Sequence, residues 1–113
     1  MNPTKYLGGL EKKNQELSYK NDELKELYKT HAEAERAYNI AYAQKLTTLR
    51  MAGEPITLAK ELAKGDKAIA DLFFKMRIAE GVQKANTEKM KDLRSAIDTY
   101  RSILTWLREE KKG

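Results

Sequence analysis

Down the whole second half of the chain, residues at alternating steps of three and four form a ladder: Ile69, Leu72, Met76, Ala79, Gln83, Asn86, Met90, Leu93, Ile97, Tyr100, Leu104 and Leu107, of which only Gln83 and Asn86 are polar amides. That spacing lines one side of a single long helix, and the stripe leaves water only where another helix covers it. The chain is therefore constrained to a rod of packed helices. Such a rod keeps few residues for enclosing a deep pocket.

The first half repeats the pattern less cleanly. No glycine or proline falls between about Leu10 and Ala52, and Leu10, Asn14, Leu17, Asn21, Leu24, Tyr28, His31 and Tyr38 keep heptad spacing around a skipped position near Glu35. Asn2 and Pro3 suit a helix start, but Gly8 and Gly9 follow and predict a flexible N-terminal turn over residues 1–9. Gly53 and Pro55 end the first helix, one as a left-handed cap and the other as a residue that cannot continue it. Thr57 is placed to cap a short helix through Lys64, Gly65 to close it, and Asp66 to cap the next. The expectation is an all-α fold, a long antiparallel helical hairpin (coiled coil) forming one domain over residues 10–110. Its helices span about 10–52 and 66–110, and a connector over 53–65 carries a short helix at the tip.

Apolar residues continue beside the ladder at Phe73, Phe74, Val82, Ala96, Ile103 and Trp106. A second apolar stripe asks for a second partner, so a homo-oligomer is expected, most simply a dimer forming a four-helix bundle. The alternative is a monomer with Phe73 and Phe74 under the connector helix and Trp106 against the N-terminal turn. Asn14 and Asn21 in one seam, and Gln83 and Asn86 in the other, read as register-fixing amides. Their alternative role is to line a polar gap with His31, Tyr38 and Tyr42. Counted from the connector, Tyr38 falls opposite Val82 to Asn86, and Asn14 near Trp106.

Catalysis finds no support. His31 has only Glu35 nearby as an orienting carboxylate, Glu109 and Glu110 sit at a helix end, and no phosphate loop, serine elbow or histidine pair is present. The reading is not an enzyme, with no cofactor and no metal. The absence of cysteine fits a reducing compartment. No apolar run approaches the roughly 20 residues of a membrane span, so a cytoplasmic protein without membrane contact is expected. The formal charge is +5, but residues 1–52 carry nine Lys/Arg against seven Asp/Glu, residues 53–68 three against three, and residues 69–113 ten against seven. Charge spread so evenly reads as solvated helix faces rather than a stripe for phosphates. At the connector, however, Arg50, Lys60, Lys64 and Lys67 surround the start of the Thr57 helix, a candidate anion-binding tip.

The segments Arg50-Met51-Ala52-Gly53-Glu54-Pro55-Ile56-Thr57-Leu58, Leu62-Ala63-Lys64-Gly65-Asp66-Lys67 and Arg77-Ile78-Ala79-Glu80 give residues 30–108 a resemblance to a family. This stretch resembles small uncharacterised helical proteins encoded by tailed phages and prophages of Gram-positive bacteria. The resemblance implies a small non-enzymatic binder in the host cytoplasm, acting in the phage's replication machinery or disabling a host defence. Three functions compete. The first is a protein-interaction module that blocks or bridges another protein, with Phe73, Phe74, Val82, Ile103 and Trp106 as its interface. The second is an oligomer that sequesters a small anion such as a nucleotide signal at Arg50, Thr57, Lys60, Lys64 and Lys67. The third is a nucleic-acid-binding accessory protein.

Overall fold

The structure, a computed structural model, describes residues 2–112. Among them are three helices and no strand: α1 (Pro3–Met51), α2 (Ile56–Gly65) and α3 (Lys67–Lys112). The expected all-α helical hairpin, with a short helix between two long ones, is the fold found. Among the described residues no helix is long and apolar enough to cross a membrane.

The start of α1 follows from its cap. Asn2 Oδ1 accepts a hydrogen bond from the Thr4 amide at 3.0 Å, and Pro3 takes the first helical position, where a missing N–H costs nothing. The helix then passes through Gly8 and Gly9, so the turn expected over residues 1–9 is helix from Pro3 onward, while Met1 lies outside the described residues. Gly9 has a packing role instead. A Cβ there would stand 2.7 Å from Tyr100 Cζ, so the missing side chain lets the tyrosine ring lie against the α1 backbone. Tyr6 tilts onto the same ring at a centroid distance of 6.4 Å.

The end of α1 is a Schellman cap. Gly53 has φ 93°, its amide donates to the Arg50 carbonyl at 3.0 Å, and the Glu54 amide donates to the Leu49 carbonyl at 3.1 Å. Glycine alone takes this backbone angle without crowding a Cβ. Gly53→Val is expected to destabilise the fold by about 1–2 kcal/mol, and because no atom lies within 4 Å the loss belongs to the backbone. Thermal melting followed by circular dichroism checks this; a melting temperature equal to wild type would refute the cap.

The expected caps of α2 shift. Pro55 holds the N-cap position with no side-chain bond, and its carbonyl accepts from the Ala59 amide at 2.8 Å, so α2 starts before Thr57 and Thr57 sits in the first turn. Gly65 is the last residue of α2 rather than the one beyond it. Asp66, extended at φ −65° and ψ 129°, caps α3 as expected: its Oδ1 accepts from the Ile69 amide at 3.2 Å. Its other carboxylate oxygen lies 3.7 Å from Lys45 Nζ on α1.

The chain divides into two compact units, Met1–Lys25 with Lys84–Gly113, and Glu26–Gln83. In the first, α1 and α3 run antiparallel, with Gly9 against Tyr100 and the Lys20 carbonyl accepting from Asn86 Nδ2 at 3.1 Å. Met90, Leu93, Ile97 and Leu107 are its buried apolar residues, and Asn86 is buried beside them. In the second the same antiparallel order sets His31 beside Gln83, Tyr38 beside Phe73 and Lys45 beside Asp66. Ala34, Ile69 and Ala79 are buried there, and α2 contributes Ala59 and Ala63, both at 0% exposure. Tyr38 thus meets Phe73 and not Val82 to Asn86. The cause is the connector: Asp66 reaches Lys45, well before α1 ends at Met51, so the start of α3 lies beside the end of α1.

Every member of the α3 ladder is buried or half-buried. On α1 the seam is Leu10, Lys13, Leu17, Lys20, Leu24, Leu27, His31, Ala34 and Tyr38, whereas Asn14, Asn21 and Tyr28 are exposed. The two lysines fill seam positions because their aliphatic stems can cover apolar surface while the ammonium groups reach the edge. There they approach Glu16 at 3.8 Å and Glu23 at 3.3 Å. Ala34 occupies the position that looked skipped near Glu35. Asn14 and Asn21 therefore fix no register.

Candidate interaction surface

The polar seam residues find separate partners in the two units. In the second unit His31 Nδ1 lies 3.0 Å from Gln83 Oε1. An amide oxygen only accepts, so Nδ1 carries the hydrogen. Glu35, the expected orienting carboxylate, is exposed. In the first unit Asn86, 5% exposed, spends its amide on the Lys20 carbonyl, while its Oδ1 is buried without a partner. Among the described residues no three His, Cys, Asp or Glu groups gather to hold a metal.

Tyr38 and Tyr42 turn instead to aromatic packing. Tyr38 sits in the α1 seam, and Phe73 follows Ile69 by one helical turn on α3, so the antiparallel pairing sets their rings in tilted contact at 5.4 Å and 58°. Tyr42 supports Tyr38 from the next turn at 5.9 Å. Beside this pair opens a groove of about 480 Å³, lined by Tyr38, Ile69, Ala70, Phe73 and Lys64. Ile69 is buried, whereas Phe73 stays 44% exposed although Tyr38 holds it from one side. Lys64 is the one charged lining residue, and its ammonium lies 3.9 Å from Glu61, a loose surface pair that leaves it open to a further anion. Neither a family model, nor a curated protein, nor a solved structure matches the chain. The groove's chemistry therefore rests on its own residues: an apolar cleft with an aromatic wall and one basic rim.

The five residues expected to share one interface do not share a stripe. Phe73 lines the aromatic groove. Val82 lines a second, smaller groove of about 200 Å³ with Leu27, Thr30, Ala34 and Ile78. Nine residues at about 100° each separate Phe73 from Val82 by half a turn, which puts them on opposite sides of α3. Phe74 is 67% exposed and lines neither groove; Ile103 is half-buried and Trp106 is 54% exposed, both in the other unit.

Of the expected anion-binding tip, only Lys64 enters the groove. Arg50 closes its own turn, its Nη1 donating to the Glu54 carbonyl at 2.8 Å, and Thr57, Lys60 and Lys67 are exposed. Sequence reasoning missed Tyr38 as a groove wall and Lys64 as its rim. The available signal was the aromatic pair Tyr38 and Tyr42 one turn apart, which marks a side of α1 that needs an apolar neighbour.

Proposed function

We propose that the protein is a non-enzymatic helical interaction module that grips an apolar side chain of a protein partner in the Tyr38–Phe73 groove, and so blocks or bridges that partner. One observation supports the reading above all: Phe73 remains 44% exposed at a preformed cleft whose wall, Tyr38, already packs against it with ring centroids 5.4 Å apart. Aromatic anchors held in position before binding lose little side-chain entropy and dominate interface energetics. Lys64 at the rim favours a partner segment that places an acidic residue beside its apolar anchor. Together with the resemblance to small phage proteins, it supports the reading of a phage-encoded binder in the host cytoplasm, directed at a host defence protein or at the phage's own replication proteins.

Sequestration of a small anion needs Arg50, Lys60, Lys64 and Lys67 to converge, and the engagement of Arg50 with Glu54 weighs against it. The test is capture from a bacterial lysate with wild-type, Phe73→Ala and Phe74→Ala proteins. Phe73→Ala is expected to lose a stoichiometric partner at least tenfold with its helicity unchanged, and Phe74→Ala to retain it. Equal capture by Phe73→Ala, or native mass spectrometry showing only a small-molecule adduct on the wild type, would overturn the reading.

A further inference from the structure

We infer that the first unit carries, on one side, a binding surface for the phosphate backbone of a nucleic-acid duplex. Arg94, Arg101 and Arg108 each follow a seam residue of α3 by four positions, namely Met90, Ile97 and Leu104. All three therefore stand on the same shoulder of the seam, one helical turn beyond a residue that holds the helix against α1. They are exposed, and among the described residues none of them has an ion pair. Lys84 and Lys91, each directly after a seam residue, add a second strip just outside the first. Lys91 is 3.2 Å from Glu88, an exposed surface pair.

The other helix sorts its charges to match. In an antiparallel pair, positions four beyond a seam residue fall on the same side of both helices. Asn14 and Asn21 follow Leu10 and Leu17 by four and are exposed, so they flank the arginines. Glu16 and Glu23 instead follow Lys13 and Lys20 by three, on the other shoulder, where those lysines hold them at 3.8 and 3.3 Å. On the arginine side, Lys25 joins the α3 cations, and the acids of these strips are Glu11 and Asp98. The charge of +5 that looks evenly spread along the sequence is thus gathered on one side of this unit. Counts by segment average over every side of a helix and hide it.

The chemistry of the surface selects its occupant. Seven residues rise about 10.5 Å, so the three arginines form a straight row about 21 Å long. Over that length a duplex presents about a dozen phosphate charges. Guanidinium forks match phosphate oxygens, and the two asparagine amides can donate to phosphate or sugar. The strips hold no aromatic residue on which unpaired bases could stack, which disfavours a single strand. Leu7 is their one large apolar side chain, too little to enter a bilayer. Contact through phosphates alone means binding without sequence preference.

The test is fluorescence anisotropy of a labelled duplex of about 30 base pairs, titrated with the full chain between about 50 and 200 mM salt. Wild type is expected to bind in the micromolar range at the lower salt, with log affinity falling against log salt at a slope of about −3 to −4. Arg94→Gln with Arg101→Gln should weaken binding at least tenfold, leave helicity unchanged and make the slope shallower by about 2. Arg94→Lys with Arg101→Lys keeps the charges and should keep the slope. The control, Lys12→Gln with Lys89→Gln, removes the same charge from the other side: Lys12 lies one turn before Glu16, and Lys89 four residues before Leu93. It should change affinity by less than about threefold and leave the slope as it is. The inference is overturned by any of three results: no duplex binding by wild type at about 100 µM protein, equal losses in the arginine and control variants, or tighter binding to a single strand or to phosphatidylserine vesicles than to the duplex. Phe73→Ala should bind the duplex as wild type does, so failure of this surface and failure of the partner groove are read separately.

Discussion

Leu93→Ala is expected to remove about 3 kcal/mol of stability and to lower the melting temperature by on the order of 10 °C or more. Leu93 is the largest side chain that is buried almost completely, at 2% exposure, with Met90 at 2% and Ile97 at 4% on the same side of α3. Truncation removes the transfer free energy of the lost methyl groups. It also leaves a void that two hydrogen-bonded helices cannot fully close. The control is Leu62→Ala on α2: Leu62 is 44% exposed, and its loss should stay below about 1 kcal/mol. Denaturant melts give both numbers, and hydrogen exchange should show residues 1–25 and 84–113 losing protection first in the Leu93 variant. Equal losses at Leu93 and Leu62 would mean that the first unit does not rest on this core.

The sequence shows most where the signal is local or strictly periodic. The α3 ladder is legible because nearly every member is apolar, and every member is buried or half-buried. Gly53 and Asp66 are legible because a cap involves only the residues beside it. The α1 seam is misread by one position in its first half, where Lys13 and Lys20 count as polar although their stems do the packing. Asn14 and Asn21 then take their place in the pattern while the chain turns them outward.

Other features depend on distant residues and leave no local trace. The register of Tyr38 with Phe73 is set where Asp66 meets Lys45, a contact that loop length alone does not specify. The candidate interface splits for a related reason. Phe73 and Val82 both stand beside the ladder in sequence, but they flank it on opposite sides, and each finds its α1 neighbours on a separate groove. A residue's distance from a seam is visible in sequence, whereas the side it faces emerges only when the second helix is in place. Lys64 likewise reads as one of several tip cations until α2 brings it to the rim beside Phe73.

Gly8 and Gly9 should respond in opposite directions to the same substitution. Alanine in place of a helical glycine gains about 0.5–1 kcal/mol, through propensity and lost unfolded-chain entropy. At Gly8 no atom lies within 4 Å of the added Cβ, so Gly8→Ala should raise the melting temperature by a few degrees. At Gly9 the Cβ would meet Tyr100 Cζ, Cε1 and Oη at 2.7, 2.8 and 2.9 Å. The ring must then swing out of the seam and away from Tyr6, which costs roughly 1–3 kcal/mol and outweighs the propensity gain. Gly9→Val, with a branched and larger group at the same place, is expected to lose about 2 kcal/mol or more. Tyr100→Ala reverses the sign: once the ring is gone, Gly9→Ala becomes stabilising, and the double-mutant cycle reports a coupling of about 1–3 kcal/mol between two residues far apart in sequence. Equal gains at Gly8 and Gly9 in the wild-type background would mean that Tyr100 moves aside freely and that α1 runs through its two glycines for some reason other than this contact.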